Sequence, residues 1–280
     1  FGFRPSPSRR VAELTARALT HGYRLVMVDV SDATAVGEGL RRAFDRGVPR
    51  AEVVVATRLR FQSSSSLPTV DHAVRDFLRR LGLSRLDLCI FMADHEDLLE
   101  AVYVGARELL DAGLVGTVGV SAATLGWAAY EVLSRERPSA VAVAEIVASP
   151  LAPTAGLLAG LQRQGILAIS RSPFLAGELL QDPRLVAVAR RLEKSVAQVL
   201  LRWAVQQGLL PVVHSGNLTH IHENFGALRF SLSEEDMAEL AKLDCVVIPS
   251  QGQSRHSSSS PSRSPLSRVS CAAPRVFNLG

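Results

Sequence analysis

A chain of 280 residues with this patterning predicts an α/β fold of repeated strand–helix units, a (β/α)8 barrel. Three observations carry the expectation. Short β-branched apolar runs alternate with stretches of helical period, the rhythm of βα units on a parallel sheet. Up to eight such units fit into about the first 250 residues, the usual size of that barrel. Several of the runs are apolar along their whole length, as strands covered on both faces must be. A doubly wound open sheet competes with the barrel at this point.

Each element has its own local justification. Residues 1–3 (FGF) read as the remnant of a first strand, and residues 11–20 carry a helical period that stops at Gly22. Strands follow at 24–30 and 52–57, separated by a periodic stretch ending at Gly47. Residues 69–81 are helical up to Gly82, then a strand at 86–91, a helix over 98–112 and Gly113. Further strands are expected at 116–120, 140–147, 165–170 and 210–213, with a helix over 197–207 closed by Gly208. Each glycine falls just past a periodic segment, where a left-handed cap is wanted. Ser233, followed by Glu234, Glu235 and Asp236, opens a last helix with an N-cap and first-turn acids. Residues 250–280 differ in kind, rich in Ser, Pro and Arg without periodicity, and are expected to form a disordered tail behind a barrel domain of residues 1–249.

Composition narrows the function. The chain is 47% hydrophobic and 21% charged, enough to bury a sizeable core and too little charged for general disorder. Its net charge of +4 equals the charge of Arg255, Arg263, Arg268 and Arg275 in the tail, which has no acid, so the body is neutral and nucleic acid is not an expected partner. No run of eighteen apolar residues and no apolar stretch in the first ten residues is present, which predicts neither membrane span nor export and a cytoplasmic location. Cys89, Cys245 and Cys271 are odd in number and lack ligand spacing, so neither a disulfide framework nor a metal site is expected. Lys194 and Lys242 are the only lysines, which limits any mechanism that needs one.

The wording of the chain carries a resemblance. GYRL at 22–25, AVGEGLR at 35–41, GVPRAEVVVATRL at 47–59, LDL at 86–88, GLVGTVGVS at 113–121, KSVAQVLLRW at 194–203, ENF at 223–225 and SEEDM at 233–237 occur in order. Taken together, the chain resembles the aldo-keto reductases from about residue 2 to residue 244. The resemblance implies the (β/α)8 barrel, NADP(H) held without a Rossmann motif, and small aldehydes or ketones as substrates. It also implies an N-terminal hairpin plugging the barrel floor. Nothing before Phe1 supplies one here, so an exposed apolar base is expected.

The implied catalytic group is a tyrosine proton donor, a lysine paired with an aspartate, and a histidine that orients the carbonyl, all at strand C-termini. Here the stretch GYRLVMVDVSDATAVG is about two residues short, Met27 stands in the aspartate slot and no tyrosine occurs between Tyr23 and Tyr103. Arg58 replaces the lysine, with a pKa too high to be tuned. Met92 stands in the histidine slot, five residues after Asp87. Asp29 lies two residues past Met27, on the same strand face, which predicts a structural Asp29–Arg58 ion pair with a catalytic pair as the alternative. His95 reads as a solvated loop histidine, and Tyr103 and Tyr130 fall in helical stretches away from the strand ends.

The cofactor positions implied by the resemblance are partly retained. Ser121 keeps one partner for the nicotinamide amide where Ala122 replaces the other, and Glu145 stands for a glutamine, able to accept from that amide but not to donate. Arg171 replaces the tyrosine on which the ring would stack, beside Ser172 and Leu175. For the 2′-phosphate the chain offers His214, Ser215 and His220, with Glu223 and Asn224 for the adenine. Imidazoles supply full charge only below about pH 6.5, which predicts weak, pH-dependent NADP(H) binding at best. The GVS at 119–121 lacks the second glycine of a nucleophile elbow, the GEG at 37–39 is no Rossmann fingerprint, and His214, His220 and His222 lack ligand spacing. The expected function is a catalytically impaired or inactive aldo-keto-reductase-like barrel. The alternatives are a working reductase with an altered constellation and an interaction protein acting through its basic tail.

Overall fold

The computed structural model describes residues 8–61, 70–93, 95–121, 141–151 and 155–243. Seven parallel strands run in chain order: β1 (Leu25–Val28), β2 (Val54–Phe61), β3 (Leu86–Ala93), β4 (Val115–Ser121), β5 (Val141–Val147), β6 (Leu167–Arg171) and β7 (Leu209–Val212). They curl into a nearly closed barrel of the (β/α)8 type. The expected first strand at 1–3 and the tail at 250–280 lie outside the described residues.

Nine helices among the described residues surround the sheet: α1 (Ser8–His21), α2 (Ala33–Asp45), α3 (Val70–Leu81), α4 (Leu99–Asp111), α5 (Ala155–Arg163), α6 (Pro183–Arg191), α7 (Val196–Gln206), α8 (Leu218–Phe225) and α9 (Glu234–Ala241). Their caps follow local chemistry. Gly22, Gly47, Gly82, Gly113 and Gly208 all take positive φ just past a helix, and Ser233 forms a reciprocal capping box with Asp236. Gly37 and Gly39 serve a different purpose. A Cβ on Gly37 would stand 2.6 Å from the Leu81 carbonyl oxygen and one on Gly39 2.6 Å from that of Ala12, so only glycine lets α2 sit this close to α3 and α1.

The core has two layers. The larger one fills the space between strands and helices, with Val26, Val55, Phe91, Val120, Leu161 and Leu200 among its buried members. A smaller one fills the lumen: Met27, Ala56, Leu88, Ile90, Val143, Ile169 and Val212. One expected strand is longer than its apolar run. β2 continues through Arg58, Leu59 and Arg60 because these residues stay paired with Ile90, Phe91 and Met92 of β3. β1 is shorter than expected, since the chain leaves the sheet after Val28 and Asp29 opens a 3-10 turn.

Candidate functional site

Strand periodicity decides what faces the barrel mouth. Two residues beyond the lumen-filling side chains lie Asp29, Arg58, Met92, Glu145, Arg171 and His214, and Ser121 pairs in register with Glu145 across β4 and β5. These positions crown the C-terminal ends of the strands, where barrels of this kind carry their chemistry.

The dominant contact is an ion pair across the lumen. Arg58 on β2 donates from Nε to Glu145 Oε1 on β5 at 2.7 Å, with Nη2 at 2.5 Å from the same oxygen. β3 and β4 lie between the two strands, so the guanidinium spans the opening rather than a neighbouring pair of strands. Glu145 is 0% exposed and the Arg58 side chain 16%. Glu145 Oε2 and Ser121 Oγ are buried with no hydrogen-bond partner, and Arg58 Nη2 has none beyond its ion-pair contact with Oε1.

This pair corrects the expected Asp29–Arg58 contact. Asp29 stands beyond the end of β1, exposed at the start of a turn, where its carboxylate keeps its hydration. Glu145 is fully buried, and a buried carboxylate needs a counter-ion far more than a solvated one does. Burial therefore decides which acid Arg58 meets.

The residues named for the implied catalytic group take these places. Met27 is 2% exposed and serves the lumen core, and Met92 is buried near the end of β3. His95 is exposed, Tyr103 sits on α4 against the outer core, and Tyr130 lies outside the described residues. Tyr23 belongs to the opposite end of the barrel. Its hydroxyl donates to the Ile221 carbonyl at 2.9 Å, and burial pushes its pKa up to about 12. Lys194 contacts the Glu193 carbonyl and the Phe230 ring, while Lys242 follows α9 on the surface.

A cleft of about 680 Å³ opens beside the mouth, between β7, the turn after β6, the first turn of α7 and α8. Ser172, His214, Ser215, His220, Glu223 and Asn224 all line it, so six of the nine implied cofactor positions converge on one space. Ser121 and Glu145 instead face the lumen, and Leu175 lies in the turn, its N–H donating to the Ser172 carbonyl at 2.8 Å. That turn is strained: Ser172, Leu175 and Ala176 have φ of 54°, 45° and 57° without being glycine. Ser215 Oγ takes the N–H of Asn217, and Asn217 caps α8 by accepting from the Thr219 N–H. Sequence reasoning missed Ser195 and Phe174 as cleft residues; the Ser195–Gln198 capping box was the readable signal for the first.

His214 reports the electrostatics at the junction of cleft and mouth. Desolvation holds its pKa below the ordinary histidine value, the charges of Arg58 and Arg171 push it the same way, and Asp29 opposes them. At the barrel floor, a second cavity of about 510 Å³ is apolar, with the exposed Val54, Leu167, Leu210 and Leu228 at its edge. Among the described residues no group of three His, Cys, Asp or Glu side chains could hold a metal, and no helix is long and apolar enough to cross a membrane.

The model of the aldo/keto reductase family matches residues 2–244. The chain belongs to that family. It is 32% identical over 241 residues to an aldo-keto reductase of Mycolicibacterium vanbaalenii, covering 81% of each chain. It is also 26% identical over 230 residues to an uncharacterized oxidoreductase of Bacillus subtilis, covering 81% of each. Among solved structures it is similar to an aldo/keto reductase from Brucella melitensis, with a TM-score of 0.74, 26% identity, and 87% and 93% of the two chains covered. An aldo-keto reductase of Bombyx mori in complex with NADP matches with a TM-score of 0.71 at 26% identity, over 86% and 85% of the chains. At the mouth of this aldo/keto reductase barrel, Arg58 and Glu145 close on each other.

Proposed function

We propose that residues 1–249 form an aldo/keto reductase barrel that holds NADP(H) weakly in the side cleft and carries little or no carbonyl reduction. A cytoplasmic location and small carbonyl compounds as ligands belong to the same reading. The observation that carries it is the buried Arg58–Glu145 pair. Carbonyl reduction needs a hydride, which the nicotinamide supplies when bound, and a group that hands a proton to the nascent alkoxide. Arg58 cannot be that group, because a guanidinium does not deprotonate in proteins, and its charge is already committed to Glu145. Met27 and Met92 hold no proton to give. Loss of a general acid alone costs about 10²- to 10⁴-fold in rate.

What the chain's residues retain supports nucleotide contact rather than turnover. Ser121 Oγ and Glu145 Oε2 are unpartnered and buried side by side, able to accept from a carboxamide N–H₂. Glu223 and Asn224 line a space of a size that suits an adenosine.

A second reading, a working reductase in which Asp29, Arg58 or a water moves the proton, draws on the exposed carboxylate of Asp29 at the mouth. One measurement separates the two. NADPH absorbance is followed with a panel of aldehydes and ketones and the full chain. The proposal expects no loss above the uncatalysed rate. Turnover that disappears in an Arg58→Ala, Asp29→Asn double variant would overturn it in favour of the second reading.

A further inference from the structure

The donor set of the cleft does not suit every part of NADP. A phosphate monoester carries close to two negative charges at neutral pH and three strong acceptor oxygens, and proteins meet it with arginine or lysine. Among the described residues that line the cleft there is neither. Its ionisable lining is His214, His220 and Glu223, and the last of these adds negative charge.

The arginines nearest the cleft stand outside its lining. Arg58 is held by Glu145. Arg10 on α1 is not part of the lining, and its Nη2 donates to the carbonyl of the lining residue Gly216 at 2.7 Å. Arg171 ends β6 and is not part of the lining. Desolvation and the fields of Arg58 and Arg171 oppose protonation of His214, and the field of Asp29 favours it. A ribose with a 2′-hydroxyl asks for much less. It can donate to the Glu223 carboxylate and exchange hydrogen bonds with Ser215 or Asn224.

We infer that the cleft discriminates against a ribose 2′-phosphate, so that at neutral pH this chain takes NAD(H) in preference to NADP(H), with His214 and His220 as the specificity-determining residues. The inference rests on the reading of the cleft as a nucleotide site.

The test compares two ligand pairs that differ only in the 2′-phosphate: AMP against adenosine 2′,5′-bisphosphate, and NADH against NADPH. Both are titrated calorimetrically into the full chain at about pH 8. The expected result is tighter binding of the member without the phosphate, by about tenfold or more, or 1.4 kcal/mol. A His214→Lys, His220→Arg double variant, at two exposed positions, is expected to shift the NADPH-to-NADH affinity ratio by about tenfold toward NADPH. Equal or tighter binding of the phosphorylated members overturns the inference and leaves the nucleotide reading standing. An unchanged ratio in the double variant overturns the roles given to the two histidines. Absence of binding by all four ligands removes the nucleotide reading and the inference together.

Discussion

The mouth of this barrel and the cleft beside it have parted company. At the mouth the charges are paired inside the protein: Arg58 crosses the lumen to a fully buried Glu145, leaving Glu145 Oε2 and Ser121 Oγ buried beside the pair, and two methionines flank it. In the cleft, polar residues including the exposed His214 and His220 line an open space, carried by a strained turn, the first turn of α7 and by α8. The difference lies in dielectric. A carboxylate buried in the lumen must find a cation inside the protein, whereas residues lining an open cleft keep their water until a ligand replaces it.

The largest effects are expected where the mouth pair is broken unevenly. Arg58→Ala leaves Glu145 charged and buried without a partner, which should cost about 3–5 kcal/mol in stability. Replacing both residues by leucine removes the charge with its partner and should come out near neutral or stabilising. Denaturant midpoints of the two variants, measured side by side, check this. If Arg58→Ala unfolds no earlier than the double-leucine variant, the pair is not the closed unit described here.

A smaller effect is expected on the cleft side. Ser195 accepts from the Gln198 N–H while the Gln198 side chain takes the Ser195 N–H, a capping box that holds the first turn of α7 against the cleft. Ser195→Ala should cost about 1 kcal/mol, and calorimetric melting should show it. Ser195→Asp, which keeps an N-cap acceptor, should recover most of the loss.

Smaller again is the pH dependence. Desolvation first, then His222 and Arg229, hold the pKa of His21 below the ordinary value of 6.5, and desolvation with Arg58 and Arg171 does the same to His214. A folded-state value below the unfolded one means that the unfolded chain binds the proton more readily. Stability from these groups is therefore full above the ordinary histidine value and is lost as pH falls below it. Denaturant midpoints should decline from pH 8 to pH 5.5, and a His21→Asn, His214→Asn double variant should flatten the decline. A midpoint that rises on acidification would contradict the sign.

How far the sequence could be read follows from how local each signal is. The five cap glycines and the Ser233 box depend on residues within one turn, and their backbone geometry agrees with the residue types. Ser172, His214, Ser215, His220, Glu223 and Asn224 were named only through the resemblance to a family; that they line one cleft depends on how β6, β7 and α8 are brought together. The partner of Arg58 was not legible. Its choice of Glu145 depends on a reach across two intervening strands and on which acid loses its water, neither of which is written in spacing. The turn from Ser172 to Gly177 hid for a related reason. Only Gly177 signals left-handed backbone, and the surrounding packing must hold Ser172, Leu175 and Ala176 in the same region.

Asp29 offers the sharpest discrimination at the smallest expected effect. It was the partner that strand-face spacing assigned to Arg58, yet it stands exposed at the start of a 3-10 turn with no side-chain cap to give. Asp29→Asn should therefore change stability by less than about 0.5 kcal/mol, as surface substitutions outside a network do. Its one long-range influence is to favour the protonated form of His214, so the variant should lower the pH at which that imidazole titrates, read by NMR of the ring protons. A stability loss as large as that of Arg58→Ala would mean that Asp29, not Glu145, holds the guanidinium in solution, and the lumen would then be open.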